Sequence, residues 1–235
     1  MKLGLHNHRI SAQTVRNRLR EAHLHARHPQ QGLDLTAVQH RNRLQWANSH
    51  LRLPLARWRS VLFTDGSQFQ LYRVDGRRVG EHFADVNVLN IVPHGAGGVM
   101  VWAGISYRQQ IQLHFIDGNL NALIYSDEIL MPIVVLFIRH HHLMFQHDNA
   151  LPHVARICTQ FPEAEIVPVL QWPAYSPDMS PIEHVWNALD QRVQQRAPVP
   201  ANIQQLRTAI EEEWDNIPQA TINSPINSMR RRSVA

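Results

Sequence analysis

The sequence holds a single cysteine, Cys158, and a single lysine, Lys2. One thiol excludes an internal disulfide framework and weighs toward a reducing compartment. With lysine almost absent, arginine supplies nearly all of the 23 basic residues, and its planar fork is the better match to phosphate oxygens and base edges. Long apolar runs are missing too. The longest, MPIVVLFI from Met131 to Ile138, falls far short of the roughly 20 residues that a membrane-spanning helix needs. Residues Met1 to Ala12 are polar and lack the apolar stretch of an export signal. No internal repeat or low-complexity segment interrupts the chain. These absences point to a soluble protein with no membrane partner.

The chain has 235 residues, 44% of them hydrophobic, enough for a substantial core in one large domain or two. Its formal net charge of +4 conceals an asymmetry. Met1 to Arg59 contains eleven Lys/Arg and two acids, a balance of +9. Ser60 to Ser228 contains nine Lys/Arg and seventeen acids, a balance of −8, and the run Arg230 to Arg232 adds +3. A basic arm therefore precedes an acidic body, an arrangement suited to nucleic acid, although a solvated basic face gives the same count.

Within the arm, ISAQTVRNRLREAHL (Ile10 to Leu24) reads as one helix. Ser11 is its N-cap, Val15, Leu19 and Ala22 recur at helical spacing, and Arg16, Arg18 and Arg20 point elsewhere. Such a helix suits a major groove, with its arginines on phosphates and Gln13, Thr14 and Asn17 near bases. A second helix is expected over Thr36 to His50, and LRLPLARWRS reads as a linker. After it the periodicity turns from helical to extended. SVLFTD is a short buried strand, FQLYRV alternates after it, and VMVWAGI and IQLHFID are further strands. Asn121 to His140 reads as a long helix kinked at Pro132. LMFQHD is a strand, Pro152 to Phe161 a helix, IVPVL (Ile166 to Leu170) a strand and Ser180 to Arg196 a helix. This order predicts an α/β fold built on a mixed sheet flanked by helices.

Asp65 is expected to end SVLFTD and Asp148 to end LMFQHD. A carboxylate at the carboxyl end of a buried strand lies at the sheet's rim, where α/β folds place their sites. Glu183, in WPAYSPDMSPIEHVW, enters on the helix alongside. If the two strands are neighbours the three acids converge, and anions so close need cations. A pair of Mg²⁺ ions, hard and oxygen-binding, is the natural occupant. Two such ions about 4 Å apart activate an attacking oxygen and stabilise a leaving one in phosphoryl transfer. Glu183 also has a plainer explanation, because Ser180-Pro181-Ile182-Glu183 matches an S-x-x-E capping box with proline at the first helical position. Ile182, Val185, Trp186 and Leu189 form the buried stripe of that helix, with Glu183 at its edge. Asp178 reads as a turn former and Trp172 and Trp186 as core, while Asp117, Asp127 and Glu128 read as structural. Arg139 to His142 reads as a solvated helix end, since consecutive histidines cannot all face one zinc ion.

VLFTDGSQFQLY resembles the first catalytic strand of the mariner superfamily of cut-and-paste DNA transposases, FQHDNALPHVA their second block and WPAYSPDMSPIEHVWNAL their third. GGVMVWAGIS, IDGNLNA and EEWDNIPQATINSPINSMRRR resemble further blocks in the same order, so the resemblance spans almost the whole chain. Thirty-four residues lie between Asp148 and Glu183, the spacing of the branch whose third acid is glutamate. The resemblance implies a ribonuclease H-like catalytic domain in which Asp65, Asp148 and Glu183 hold two Mg²⁺ ions, with Mn²⁺ able to substitute. It implies double-stranded DNA as partner, both terminal repeats and a TA target, with a homodimer as the assembly to be tested and the nucleus as location. Asn149 and His153 match the second block and are candidates to orient nucleic acid or a water at the metal; alternatively Asn149 caps a helix at Pro152 and His153 faces solvent. Where the family has an acid after its first aspartate and an arginine two residues on, this chain has Gly66 and Gln68. The insertion between VDGRR and GEHFAD is shortened, and of two helix-turn-helix units only the last helix of the second is recognisable. The expected organisation is a basic helical arm, a helix-turn-helix remnant, over 1–59 and a catalytic domain over 60–235. The expected function is DNA transposition and integration; the alternative is a catalytically impaired or domesticated relic that only binds DNA.

Overall fold

A computed structural model describes residues 34–71, 98–118, 120–146 and 167–232. All of them after Leu33 belong to one compact unit. The first helix, α1 (Ala37–His50), begins at a capping box. The Thr36 hydroxyl accepts the Gln39 amide, and the Gln39 side chain accepts the Thr36 amide at 2.7 Å. Its sequence is polar on nearly every side, and its one buried residue is a tryptophan. Trp46 is buried, donates its indole N–H to the Gln171 carbonyl at 2.6 Å and meets Trp172 edge-on at 4.7 Å between ring centres. The segment read as a linker contains one helical turn, α2 (Leu55–Trp58), entered through Pro54 and closed by the fully buried Trp58.

Four strands follow: β1 (Val61–Gln70), β2 (Gly98–Ile105), β3 (His114–Ile116) and β4 (Met144–Gln146). They form one sheet in the order β3-β2-β1-β4, antiparallel except that β4 runs parallel to β1. The mixed sheet expected from the sequence is present, with three changes of extent. SVLFTD and the start of FQLYRV are one strand, because β2 pairs with β1 without interruption from Phe63 to Gln70. IQLHFID contracts to three residues, which among the described residues have a partner on one side, β2. Of IVPVL, the described residues contribute a single parallel bridge, Val169 to Phe145. Pro168 accepts the Phe145 amide at 2.8 Å but has no N–H with which to extend the ladder.

The long helix, α3, is continuous but changes character: Ala122–Ile124 is α, Tyr125–Val135 is π and Leu136–His141 is α again. Asn121 caps it, accepting the amides of Leu123 and Ile124 at 2.9 and 3.0 Å. Around Pro132, where the sequence predicts a kink, the helix takes the wider π register, in which a residue without an N–H is accommodated.

Side chains alternate across a strand, and this sorts the core into two layers. Val61, Phe63 and Phe69 of β1, with Val99, Val101, Ala103 and Ile105 of β2, pack against α4 (Pro181–Gln194), α5 (Ile203–Asp215) and α6 (Gln219–Arg232). Leu62 and Trp102 point the other way, onto Tyr125, Ile129, Leu130, Val134 and Ile138 of α3. The stripe expected on α4 is the buried one: Ile182, Val185, Trp186 and Leu189 all lie in the first of these layers.

Candidate active site

Asp65 sits in the middle of β1 rather than at its end, since the strand continues to Gln70. The sequence reading separates SVLFTD from FQLYRV; the unbroken ladder to β2 joins them. On the other side of β1, the described pairing with β4 stops at Phe63 opposite Gln146, so Asp65 lies two residues past it. The carboxylate shares the face of Phe63 and Phe69, is 9% exposed and stands opposite the small Ala103 of β2. Its Oδ1 accepts the Gly66 amide at 2.8 Å. Thr64, pointing to the opposite face, donates its hydroxyl to the Gln146 carbonyl at 2.9 Å and fastens β1 to β4 just ahead of the acid.

Gly66 also belongs to the opposite face. A Cβ added there would meet Met100 Cε at 3.1 Å and the Val101 carbonyl at 3.5 Å. An acid at this position, as the resembled family has, would therefore project to the side that packs on α3 and away from Asp65.

Glu183 lies in the first turn of α4 and is 3% exposed. The capping box expected from Ser180-Pro181-Ile182-Glu183 does not form. Ser180 is the N-cap residue, but its side chain makes no cap hydrogen bond. Its backbone amide, the group a capping glutamate would reach back for, instead donates to the Pro177 carbonyl at 2.8 Å and closes the 3₁₀ turn Pro177–Met179. Capping thus does not account for the glutamate, which is nearly as buried as the stripe beside it. A helix N-terminus is a favourable place for a buried negative charge. Since α4 packs on the face of β1 that holds Asp65, with Trp186 edge-on to Phe69 at 6.2 Å, the two buried carboxylates lie on one side of the sheet.

Asp148, Asn149 and His153 fall outside the described residues, as do Gln13, Thr14, Arg16, Asn17, Arg18 and Arg20. Among the described residues no three His, Cys, Asp or Glu side chains converge in a way that could hold a metal ion. Around the start of α4 the charges are mixed. Partial burial, and after it the charge of Arg232, lower the pKa of His184. Burial lowers that of Arg232 itself, opposed by Asp178 and reinforced by Arg231. Asp178, read from sequence as a turn former, does lie in the 3₁₀ turn, and it also forms a two-pronged ion pair with Arg43 of α1 at 2.8 and 2.5 Å. Arg43 was not singled out by the sequence, and nothing in a single sequence links two residues 135 positions apart. Asp117 and Glu128 are engaged elsewhere, with Arg207 and, at 3.3 Å, His114. Arg139, His140 and His141 form the last turn of α3, and His142 ends it in a left-handed conformation.

Residues 60–207 match the family model described as DDE superfamily endonuclease, and residues 2–52 match a helix-turn-helix model described as transposase. The Tcb2 transposase of Caenorhabditis briggsae is 33% identical over 230 residues, 94% of this chain and 83% of that protein. The Tc1 transposase of Caenorhabditis elegans is 32% identical over 234 residues, 96% of this chain and 84% of that protein. Among solved structures, the Mos1 transposase paired-end complex with left transposon end superposes with a TM-score of 0.70 at 18% identity, over 96% of this chain and 69% of that one. The Mos1 catalytic domain with raltegravir and Mg does so with a TM-score of 0.63 at 17% identity, over 86% of this chain and 94% of that one. The likeness to Mos1 establishes the fold as ribonuclease H-like, in agreement with a sheet of three antiparallel strands continued by a parallel one. The family models and the nematode relatives go further: this chain belongs to the Tc-type transposases of the DDE endonuclease superfamily.

Proposed function

We propose that this transposase cuts DNA at transposon ends and joins the freed 3′ end to target DNA, using Asp65, Asp148 and Glu183 as a metal-holding acidic triad. The observation that carries the reading is the burial of two carboxylates, Asp65 and Glu183, on one side of the sheet. Carboxylates gathered on one side of a sheet supply the oxygen ligands that hard divalent cations take. Asp148 is assigned to the same site from its place in FQHDNALPHVA, the stretch that resembles the family's second catalytic block.

The donor set fits a hard divalent cation, because all three side chains offer carboxylate oxygens, and Mg²⁺ with Mn²⁺ as its substitute suits such ligands. When bound, the cations would neutralise phosphate charge in an in-line displacement. The residues of the chain supply position. β1, fastened to β2 along its length, fixes Asp65; the first turn of α4 fixes Glu183; and the close packing of Trp186 behind it keeps bulk water from that side of the site. Asn149 and His153 are assigned to orienting the nucleic acid beside Asp148.

A supercoiled plasmid bearing the element's ends tests the triad. Asp65→Asn and Asp148→Asn should each abolish nicking, and persistent nicking in either would refute the assignment. Residues 1–59 are proposed to form the DNA-binding arm, with Gln13, Thr14, Arg16, Asn17, Arg18 and Arg20 on its contact face, and residues 60–235 the catalytic domain. The arm is tested by salt. Several phosphate contacts require affinity to fall steeply with ionic strength, with a slope close to −0.9 per contact, whereas a flat dependence would remove the arm from the mechanism.

A further inference from the structure

We propose that Arg43 is a positioning residue for Glu183, acting through the segment that leads into α4. The inference rests on the proposal that Glu183 holds metal. One face of α1 grips this segment at two points. Trp46 takes its beginning, at the Gln171 carbonyl, and Arg43, three residues earlier on the same face of the helix, takes its end. At that end Arg43 makes three hydrogen bonds. Nη1 donates to the Tyr175 carbonyl at 2.8 Å and to Asp178 Oδ1 at 2.8 Å, and Nη2 donates to Asp178 Oδ2 at 2.5 Å.

The position of these bonds matters more than their number. Tyr175 has a φ of 55°, a left-handed conformation that a tyrosine rarely adopts, and at 48% exposure it is not held there by burial. The guanidinium on its carbonyl fixes that conformation. Asp178 lies inside the 3₁₀ turn whose Pro177 carbonyl takes the Ser180 amide. Arg43 therefore secures the turn that occupies the amide Glu183 would otherwise cap. With the turn in place, the glutamate enters the core as a ligand; with the turn loosened, the Ser180 amide becomes available and the S-x-x-E box can close on itself. An exposed ion pair is ordinarily worth little, but one that selects between two hydrogen-bonding states of a ligand acts on the site without touching it, as the outer partners of metal ligands do.

The test measures Mn²⁺ binding to the full chain without DNA, by loss of the free-ion paramagnetic resonance signal, alongside thermal unfolding. Arg43→Gln and Asp178→Asn should each weaken Mn²⁺ binding roughly tenfold, within the range for outer partners of metal ligands. Arg43→Lys should recover only part, since an ammonium cannot span both carboxylate oxygens and the Tyr175 carbonyl. Arg196→Gln is the control for a purely structural effect. It removes the pairs to Glu212 and Glu213 near the far end of α4, and should lower the unfolding temperature while leaving Mn²⁺ affinity unchanged. Parent-like affinity in Arg43→Gln, with affinity lost in Glu183→Gln, overturns the positioning role and spares the active site. Parent-like affinity in Glu183→Gln overturns both.

Discussion

Glu183→Gln should yield a folded protein that no longer cuts DNA. Glutamine has the same shape, so the packing of α4 on β1 through Ile182, Val185 and Trp186 is retained. What disappears is one negative charge at a position that is 3% exposed. In a water-poor site that charge acts at low effective dielectric, where each interaction with a cation is far stronger than in solvent. Charge stabilisation by a bound metal is worth several kcal/mol in the transition state, so losing a ligand should slow strand cleavage by at least about 10³-fold, near 4 kcal/mol. The capping reading predicts the opposite. A glutamine caps as well as a glutamate, and the rate would then hardly change. Nicking of a supercoiled substrate separates the two outcomes, with circular dichroism confirming that the variant is folded. A rate within tenfold of the parent would return Glu183 to the role of a helix-start residue.

The contrast shows where the sequence was legible and where it was not. Short apolar runs marked β1 and β2, and the 3.6-residue period marked the buried stripe of α4, because each pattern is written in consecutive residues. The capping box was legible but misleading. Its four residues are all present, yet the competitor for the Ser180 amide is Pro177, in a turn whose Asp178 pairs with Arg43 far back in the chain. The π register of α3 was hidden too. Pro132 announces a disturbed helix, but not a π register that runs from Tyr125 to Val135. The division of β1 into SVLFTD and FQLYRV does not survive, because eight consecutive pairings to β2 hold the strand from Phe63 to Gln70.

The largest loss of stability from a single change is expected at Trp214. Its ring is 1% exposed, stacks on Trp186 with 5.3 Å between ring centres, and donates its N–H to the Ile111 carbonyl at 3.0 Å. One side chain thus joins α5 to α4 and to the segment between β2 and β3. Trp214→Ala should cost about 3–5 kcal/mol, the range for emptying a large aromatic site, read as a lower urea midpoint at unchanged slope. The expected order is parent, then Trp214→Phe, then Trp214→Ala, because phenylalanine keeps part of the stack while leaving the Ile111 carbonyl without its donor. The consequence reaches the site. Trp186 is three residues along α4 from Glu183, on the adjacent turn, and loses its backing when Trp214 is removed. At a temperature where Trp214→Ala remains folded, Mn²⁺ should therefore raise its unfolding temperature less than it raises the parent's, since ligand stabilisation falls with affinity. An equal rise in both would show that the aromatic stack supports the fold alone and leaves the position of Glu183 to the turn that precedes it.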